Sequence, residues 1–289
     1  MVDLTPGEPQ TANDYDDRST AAVRSVLVEI CQILGSFRDK FVVIGGAVPW
    51  LLLNAPDMPR VGTVDIDLAL DPDALGAGEY ATLVEALMEH DYRQRGNLKA
   101  FQLVRTVLAE DGGLPIDIVV DFLMPRDAEI EKNKPPLVKD FAVIRADGAG
   151  LALHYQEMVS LEANMPGGAR NRVEIAVCSI PAFLAMKGHA LKGRYKQKDA
   201  YDIYYCIRNY PGGYEALAAD CRPLLDDPSA AAGYGYIAAK FDTLEHFGPM
   251  SVRGFVEDTN VLAGRTPDQW QQDAFGQVDA WLRALSLRD

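Results

Sequence analysis

The sequence predicts an α/β (α+β) fold, an N-terminal unit of alternating strands and helices followed by a C-terminal helical unit. Three observations lead there. Strand-like and helix-like segments alternate from Ser19 to Leu123. Strand signals thin out after about Cys178, and from Ser179 apolar residues recur at helical spacing nearly to the end of the chain. The implied organisation is a flexible leader over residues 1–18, an α/β domain over 19–178 and a helical domain over 179–289.

Each element has its own warrant. Met1 to Arg18 is polar, acidic and contains Pro and Gly, a composition that cannot bury enough apolar surface to order itself. It lacks the basic and apolar regions of a signal peptide. Ser19 to Phe37 carries Val23, Val26, Leu27, Ile30 and Leu34 at three-to-four spacing, which predicts an amphipathic helix. Phe41 to Ile44 reads as a short strand ending in Gly45-Gly46, and Ala47 to Leu53 as a helix with Pro49 in its first turn. Thr63 to Leu70 alternates polar and apolar residues, as a strand does; Tyr80 to His90 follows as a helix and Phe101 to Leu108 as a strand. The Asp111-Gly112-Gly113 turn leads into a strand at Ile116 to Leu123. In the C-terminal unit Ser179 is placed as an N-cap with Pro181 in the first turn. Further helices are expected at Ala200 to Asn209, Tyr214 to Leu225, Gly233 to Phe247 and Thr266 to Leu285. Tyr201, Tyr204 and Tyr205 read as packing residues, and Trp270, Phe275 and Trp281 as a helix core face.

Composition narrows the chemistry. The longest apolar segment, Phe41 to Leu53, is too short to span a bilayer. Cys31, Cys178, Cys206 and Cys221 show no metal or disulfide spacing, which suits a reducing, cytoplasmic setting. The four histidines are equally scattered, so a catalytic metal would be held by oxygen, favouring magnesium or manganese. The net charge of −14 disfavours broad attraction to nucleic acid, yet Lys187, Lys192, Arg194, Lys196 and Lys198 follow one another without an intervening acid.

Thr63, Asp65 and Asp67 fall on one face of their strand because side chains alternate. Carboxylates two residues apart, with Cα atoms about 7 Å apart, suit joint ligation of one or two cations. Alone, the pattern also describes an edge strand with two solvated acids. Gly45-Gly46, at a strand-to-helix junction upstream, adds the donors that a triphosphate needs. A third acid is offered by Asp117 or Asp121 on the strand beginning at Ile116, and Asp117 better fits an acid embedded in apolar neighbours. On an uninterrupted helix Lys187, Leu191, Arg194, Lys198 and Asp202 would share a sector of roughly 80°. Gly193 interrupts that helix, so two helices and a turn must bring them together.

Two blocks, Val43-Ile44-Gly45-Gly46-Ala47-Val48 and Arg60-Val61-Gly62-Thr63-Val64-Asp65-Ile66-Asp67, resemble the signature of the DNA polymerase β nucleotidyltransferase superfamily. The form is closest to the AbiEii/AbiGii abortive-infection toxin branch. That branch also carries a later basic block, matched by Lys187-Gly188-His189-Ala190-Leu191-Lys192-Gly193-Arg194 and Lys198-Asp199-Ala200-Tyr201-Asp202-Ile203. The resemblance runs from about residue 41 to 203 and implies a mixed β-sheet core flanked by helices, with the active site in a cleft between two lobes. It implies Mg2+ (or Mn2+) on Asp65, Asp67 and Asp117; NTP contacts from Gly45, Gly46, Thr63, Arg194 and Lys198; and catalytic roles for Lys187 and Asp202. The activity implied is transfer of a nucleoside monophosphate from an NTP to an acceptor hydroxyl, in a toxin acting on the 3′ end of tRNA and partnered by an antitoxin protein. Two other readings stay open: an enzyme modifying a small molecule, such as an aminoglycoside, or a protein; and a non-catalytic nucleotide-binding module.

Overall fold

The computed structural model describes residues 12, 15, 17–54, 58, 62–75, 78–96, 98–108, 112–126, 128, 144–257 and 264–289. Most of the expected leader lies outside the described residues, as do Arg60, Val61 and Asp111. The chain forms two compact units, one made of Asp16–Leu51 with Gly62–Ser179, the other of Met1–Tyr15, Leu52–Val61 and Ile180–Asp289. Sequence alone places Leu52–Val61 with its neighbours in the α/β unit, but it clusters with the helices, where Asn209 donates to the Met58 sulfur at 3.3 Å.

The first unit is built on a mixed sheet of β1 (Phe41–Ile44), β2 (Asp65–Leu70), β3 (Gln102–Val107), β4 (Ile116–Pro125), β5 (Ile144–Ala146), β6 (Gln156–Asn164) and β7 (Arg170–Cys178). Strand order is β3-β4-β2-β1-β7-β6, with β5 continuing along β4 past the end of β3. The β1–β2, β3–β4 and β6–β7 pairs are antiparallel; β2–β4 and β1–β7 are parallel. Helix α1 (Asp17–Ile33) buries Val23, Val26, Leu27 and Ile30 completely, on the stripe that their spacing predicts. Helices α2 (Val48–Leu52), α3 (Glu79–Glu89) and α4 (Ala149–His154) complete this unit. The sequence reading assigns nothing between residues 124 and 178. The β6–β7 hairpin found there closes through a turn in which Gly168 donates to the Met165 carbonyl at 2.7 Å.

The second unit holds α5 (Ile180–Gly193), α6 (Gln197–Asn209), α7 (Gly213–Cys221), α8 (Pro228–Lys240), α9 (Phe247–Glu257) and α10 (Pro267–Ala284). The helix expected over Gly233 to Phe247 is a correction: α8 starts earlier and stops at Lys240. Asp227 fixes the start, its side chain accepting from the N–H groups of Ser229 and Ala230, with Pro228 in the first turn. A turn in which His246 Nδ1 accepts from the Thr243 N–H at 2.9 Å then separates α8 from α9. Thr266 and Gln269 form a reciprocal capping box that sets the start of α10. Helices α5 and α8 touch backbone to backbone: a Cβ on Gly188 would stand 1.9 Å from the Gly233 carbonyl oxygen. Tyr201, Tyr204, Tyr205, Trp270 and Trp281 are buried, while Phe275 is only half-buried.

Among the described residues no helix is long and apolar enough to cross a membrane. All four cysteines are buried free thiols.

Candidate functional site

The acid pair sits at the start of β2, in the middle of the sheet. β1 runs antiparallel beside it with Ile44 opposite Asp67, so the chain leaving β1 turns directly over Asp67. That turn is a single 3-10 turn, Gly45–Ala47. Gly45 has φ +70°, and a Cβ placed on it would lie 1.8 Å from Asp67 Oδ2. Glycine is required twice at this position, by the left-handed backbone and by the carboxylate against it. The close approach foreseen for a ligand is therefore also an approach to Asp67. Gly45→Ala is expected to cost about 1–2 kcal/mol of stability through its backbone, seen in a denaturant titration. It should also displace Asp67 and so lower activity beyond the loss of folded protein.

Thr63 precedes β2 and is buried, with its hydroxyl donating to Asp65 Oδ1 at 2.7 Å. Where a direct nucleotide contact is expected from the sequence, the side chain is turned to Asp65 in this structure and supports its carboxylate.

Register sets the two acids of β4 apart. β4 lies parallel to β2 with Val119 opposite Asp65 and Asp121 opposite Asp67. Registered partners of neighbouring strands point to the same face, about 4.8 Å apart in backbone. Asp121 therefore joins the acid pair, and Gln102 of β3 donates to its Oδ1 at 2.8 Å. Asp117 lies beyond the start of β2, where Arg95 and Thr106 both donate to it. Burial would raise its carboxyl, but the Thr106 and Arg95 bonds outweigh that and hold it below the ordinary range. Asp117 and Asp121 both lie on one face of the strand and differ in what stands beside them, and it is Asp121, not the Asp117 that the sequence favours, that is in register with Asp67. Among the described residues no three His, Cys, Asp or Glu side chains already converge as a metal cage. The sheet instead aligns three carboxylates, an all-oxygen donor set of the kind hard divalent cations prefer.

The basic block folds as the glycine break requires, with α5 ending at Gly193 and α6 starting at Gln197. Lys187, Arg194, Lys198, Asp199 and Asp202 come together at this corner. Lys187 Nζ donates to Asp199 at 2.6 Å and to Asp202 at 2.8 Å. Lys198 donates to both Asp202 oxygens at 2.8 and 3.0 Å, and Arg194 to both Asp199 oxygens at 2.8 and 3.1 Å. Three cations thus face two carboxylates. Burial opposes the charge on Lys187, but Asp199 and Asp202 outweigh it and raise its ammonium above the usual range. Burial likewise opposes the Asp199 charge, and Lys187 and Arg194 pull its carboxyl well below the usual range. Lys187, Lys198 and Asp202 are buried, and both lysine ammoniums are held by carboxylates of this corner. Arg194 keeps a side chain 53% exposed. Asp199, which sequence reasoning quotes only as part of the motif, ties Lys187 and Arg194 together at this corner. Its signal is a position one turn before Ile203 on the buried face of α6.

The chain can be set beside known proteins on this geometry. A family model described as the nucleotidyl transferase AbiEii toxin of type IV TA systems matches residues 31–274. Solved structures from Helicobacter pylori align over nearly their full length. JHP933 does so at 11% identity and TM-score 0.48, covering 94% of this chain and 95% of that one. A second chain, provisionally assigned as a nucleotidyltransferase, does so at 10% identity and TM-score 0.47, covering 92% and 96%. No curated protein matches the sequence.

Proposed function

Since the chain belongs to the AbiEii family of nucleotidyltransferase toxins of type IV toxin–antitoxin systems, we propose that it transfers a nucleoside monophosphate from an NTP to a hydroxyl of RNA, at the 3′ end of tRNA, releasing pyrophosphate. Its antagonist in this reading is a cognate antitoxin protein. The observation that carries the reading is the acidic row, Asp65, Asp67 and Asp121, lying beside a glycine turn shaped around Asp67.

Asp65, Asp67 and Asp121 would hold magnesium (or manganese), which when bound offsets triphosphate charge and lowers the pKa of the acceptor hydroxyl. Thr63 keeps Asp65 in one rotamer and Gln102 steadies Asp121, so the acids are oriented before substrate arrives. Gly45 and Gly46 let backbone N–H groups approach phosphate oxygens without a side chain in the way. Of the cations that the resemblance assigns to the nucleotide, Arg194 is the exposed one and so the best suited to meet phosphate charge. Lys187, Lys198 and Asp202 are positioning residues in this scheme, fixing the corner from which Arg194 projects.

The acidic net charge of −14 favours a second reading, a small cationic acceptor such as an aminoglycoside. One experiment separates the two: purified protein, magnesium and α-labelled NTPs offered in parallel to tRNA, an aminoglycoside panel and cell extract. Label on tRNA supports the first reading, and label only on the antibiotics overturns it. Growth arrest on expression, relieved by co-expressing the neighbouring gene, would identify the toxin and its antitoxin. In the same assay Asp121→Asn should lose on the order of 100-fold in rate. Asp117→Asn breaks only a half-exposed pair and should stay within about threefold of wild type. Equal losses would return the third-acid role to Asp117.

A further inference from the structure

The helical unit carries a surface that the transfer chemistry does not use. From Ile175 to Lys198 there is no Asp or Glu, and none occurs in α8, although 42 of the 289 residues are acidic. Where the end of α5 and the chain after it meet α8, two lysine–tyrosine pairs stand side by side. Lys192 Nζ lies 4.3 Å from the centre of the Tyr236 ring and donates to its hydroxyl at 2.7 Å. Lys240 Nζ lies 4.6 Å from the Tyr195 ring, whose edge also meets Phe247 at 5.2 Å. Tyr236 and Lys240 are one turn apart on α8 and so share a face. Tyr195 is 74% exposed, an unusual position for a large ring on an acidic protein, and Lys196 follows it. The first acid after α8, Asp242, lies 3.7 Å from Arg288.

We propose that Tyr195, Tyr236, Lys192 and Lys240 form a docking surface for single-stranded RNA. The tyrosine rings would stack on bases and the ammoniums would meet the flanking phosphates. Exposed aromatics set among cations suit this occupant better than an acidic protein, which has no use for the rings. The proposal rests on the reading of RNA as acceptor class.

The test is fluorescence anisotropy of a labelled 12-nucleotide oligoribonucleotide with the full chain, in EDTA so that no transfer occurs, across a salt series. Wild type should bind, and Tyr195→Ala should weaken binding about tenfold while Tyr195→Phe stays near wild type. The Lys192→Ala/Lys240→Ala double variant should also lose about tenfold and flatten the salt slope by about 1.4, two single-strand phosphate contacts. These side chains lie at the surface, so circular dichroism should report folded variants. Absent wild-type binding, or variants that bind as wild type does, overturns the proposal. So does polyglutamate competing as well as RNA, which would make the surface one for acidic protein. The reading beneath it fails separately. RNA labelling that Tyr195→Ala leaves intact refutes the surface alone. RNA binding lost in the variants, with label found only on aminoglycosides, refutes the acceptor alone.

Discussion

Asn in place of Asp65 or Asp67 is expected to cut nucleotidyl transfer on the order of 1,000-fold or more, and the Asp67 variant should be at least as stable as before. The activity loss follows from removing one negative ligand where a divalent cation must be held against a triphosphate. The stability expectation comes from the sheet. Asp67 and Asp121 are direct neighbours across two paired strands, and like charges so placed destabilise. Neutralising one relieves that repulsion by a few tenths of a kcal/mol or more. The pair of measurements is a rate with labelled NTP and an unfolding midpoint in urea. A variant that keeps its rate, or that loses rate only in proportion to lost folded protein, removes these acids from the chemistry.

The second large effect concerns folding. Asp202→Ala takes from Lys198 the carboxylate that holds its ammonium, at a side-chain exposure of 5%. Removing one partner of a buried ion pair strands the other charge, and about 3–5 kcal/mol of destabilisation is expected. That is a large share of the stability of a typical domain. Urea unfolding measures it, and activity per folded molecule distinguishes a positioning role from a catalytic one. If Asp202 only positions, the folded fraction retains most of its rate. The same corner sets a pH limit. Asp199 is held below its ordinary range in the fold, so its contribution is complete above the unfolded carboxyl pKa, near about 3.9. It is lost as pH falls below that value. Lys187 is shifted upward, so its share persists below an unfolded pKa of about 10.4 and fades at more alkaline pH. Asp199→Asn should therefore flatten the acid limb of the stability profile.

Much of this was legible in the residues. The strand ending at Gly45, the acid pair on one face and the glycine break in the basic block all follow from spacing. Where reading failed, the missing information was non-local. Asp117 and Asp121 have the same face and similar neighbours, and only the register against β2 separates them. The α5–α6 corner was placed correctly as a meeting point, yet Asp199 pairing with Lys187 across 12 positions turns apparent free cations into a closed network. Val173, Ile175 and Val177 do alternate in β7, but its exposed half is a polar run of Arg170, Asn171 and Arg172, which masks a strand paired on both sides. Leu52–Val61 belongs with the helices for reasons no local pattern records.

The fit of Gly45 around Asp67 has a consequence for anyone moving this chemistry elsewhere. The two motifs, 22 positions apart in the sequence, behave as one heritable unit. A library varied at position 45 should return glycine alone for as long as position 67 keeps a carboxylate. Shortening residue 67 should remove the clash but not the strain of the left-handed backbone, so a larger residue at 45 should remain costly even there, and those clones should be inactive. Grafting the acid pair onto another sheet without its glycine would carry the ligands and leave behind the space that lets one of them point the right way.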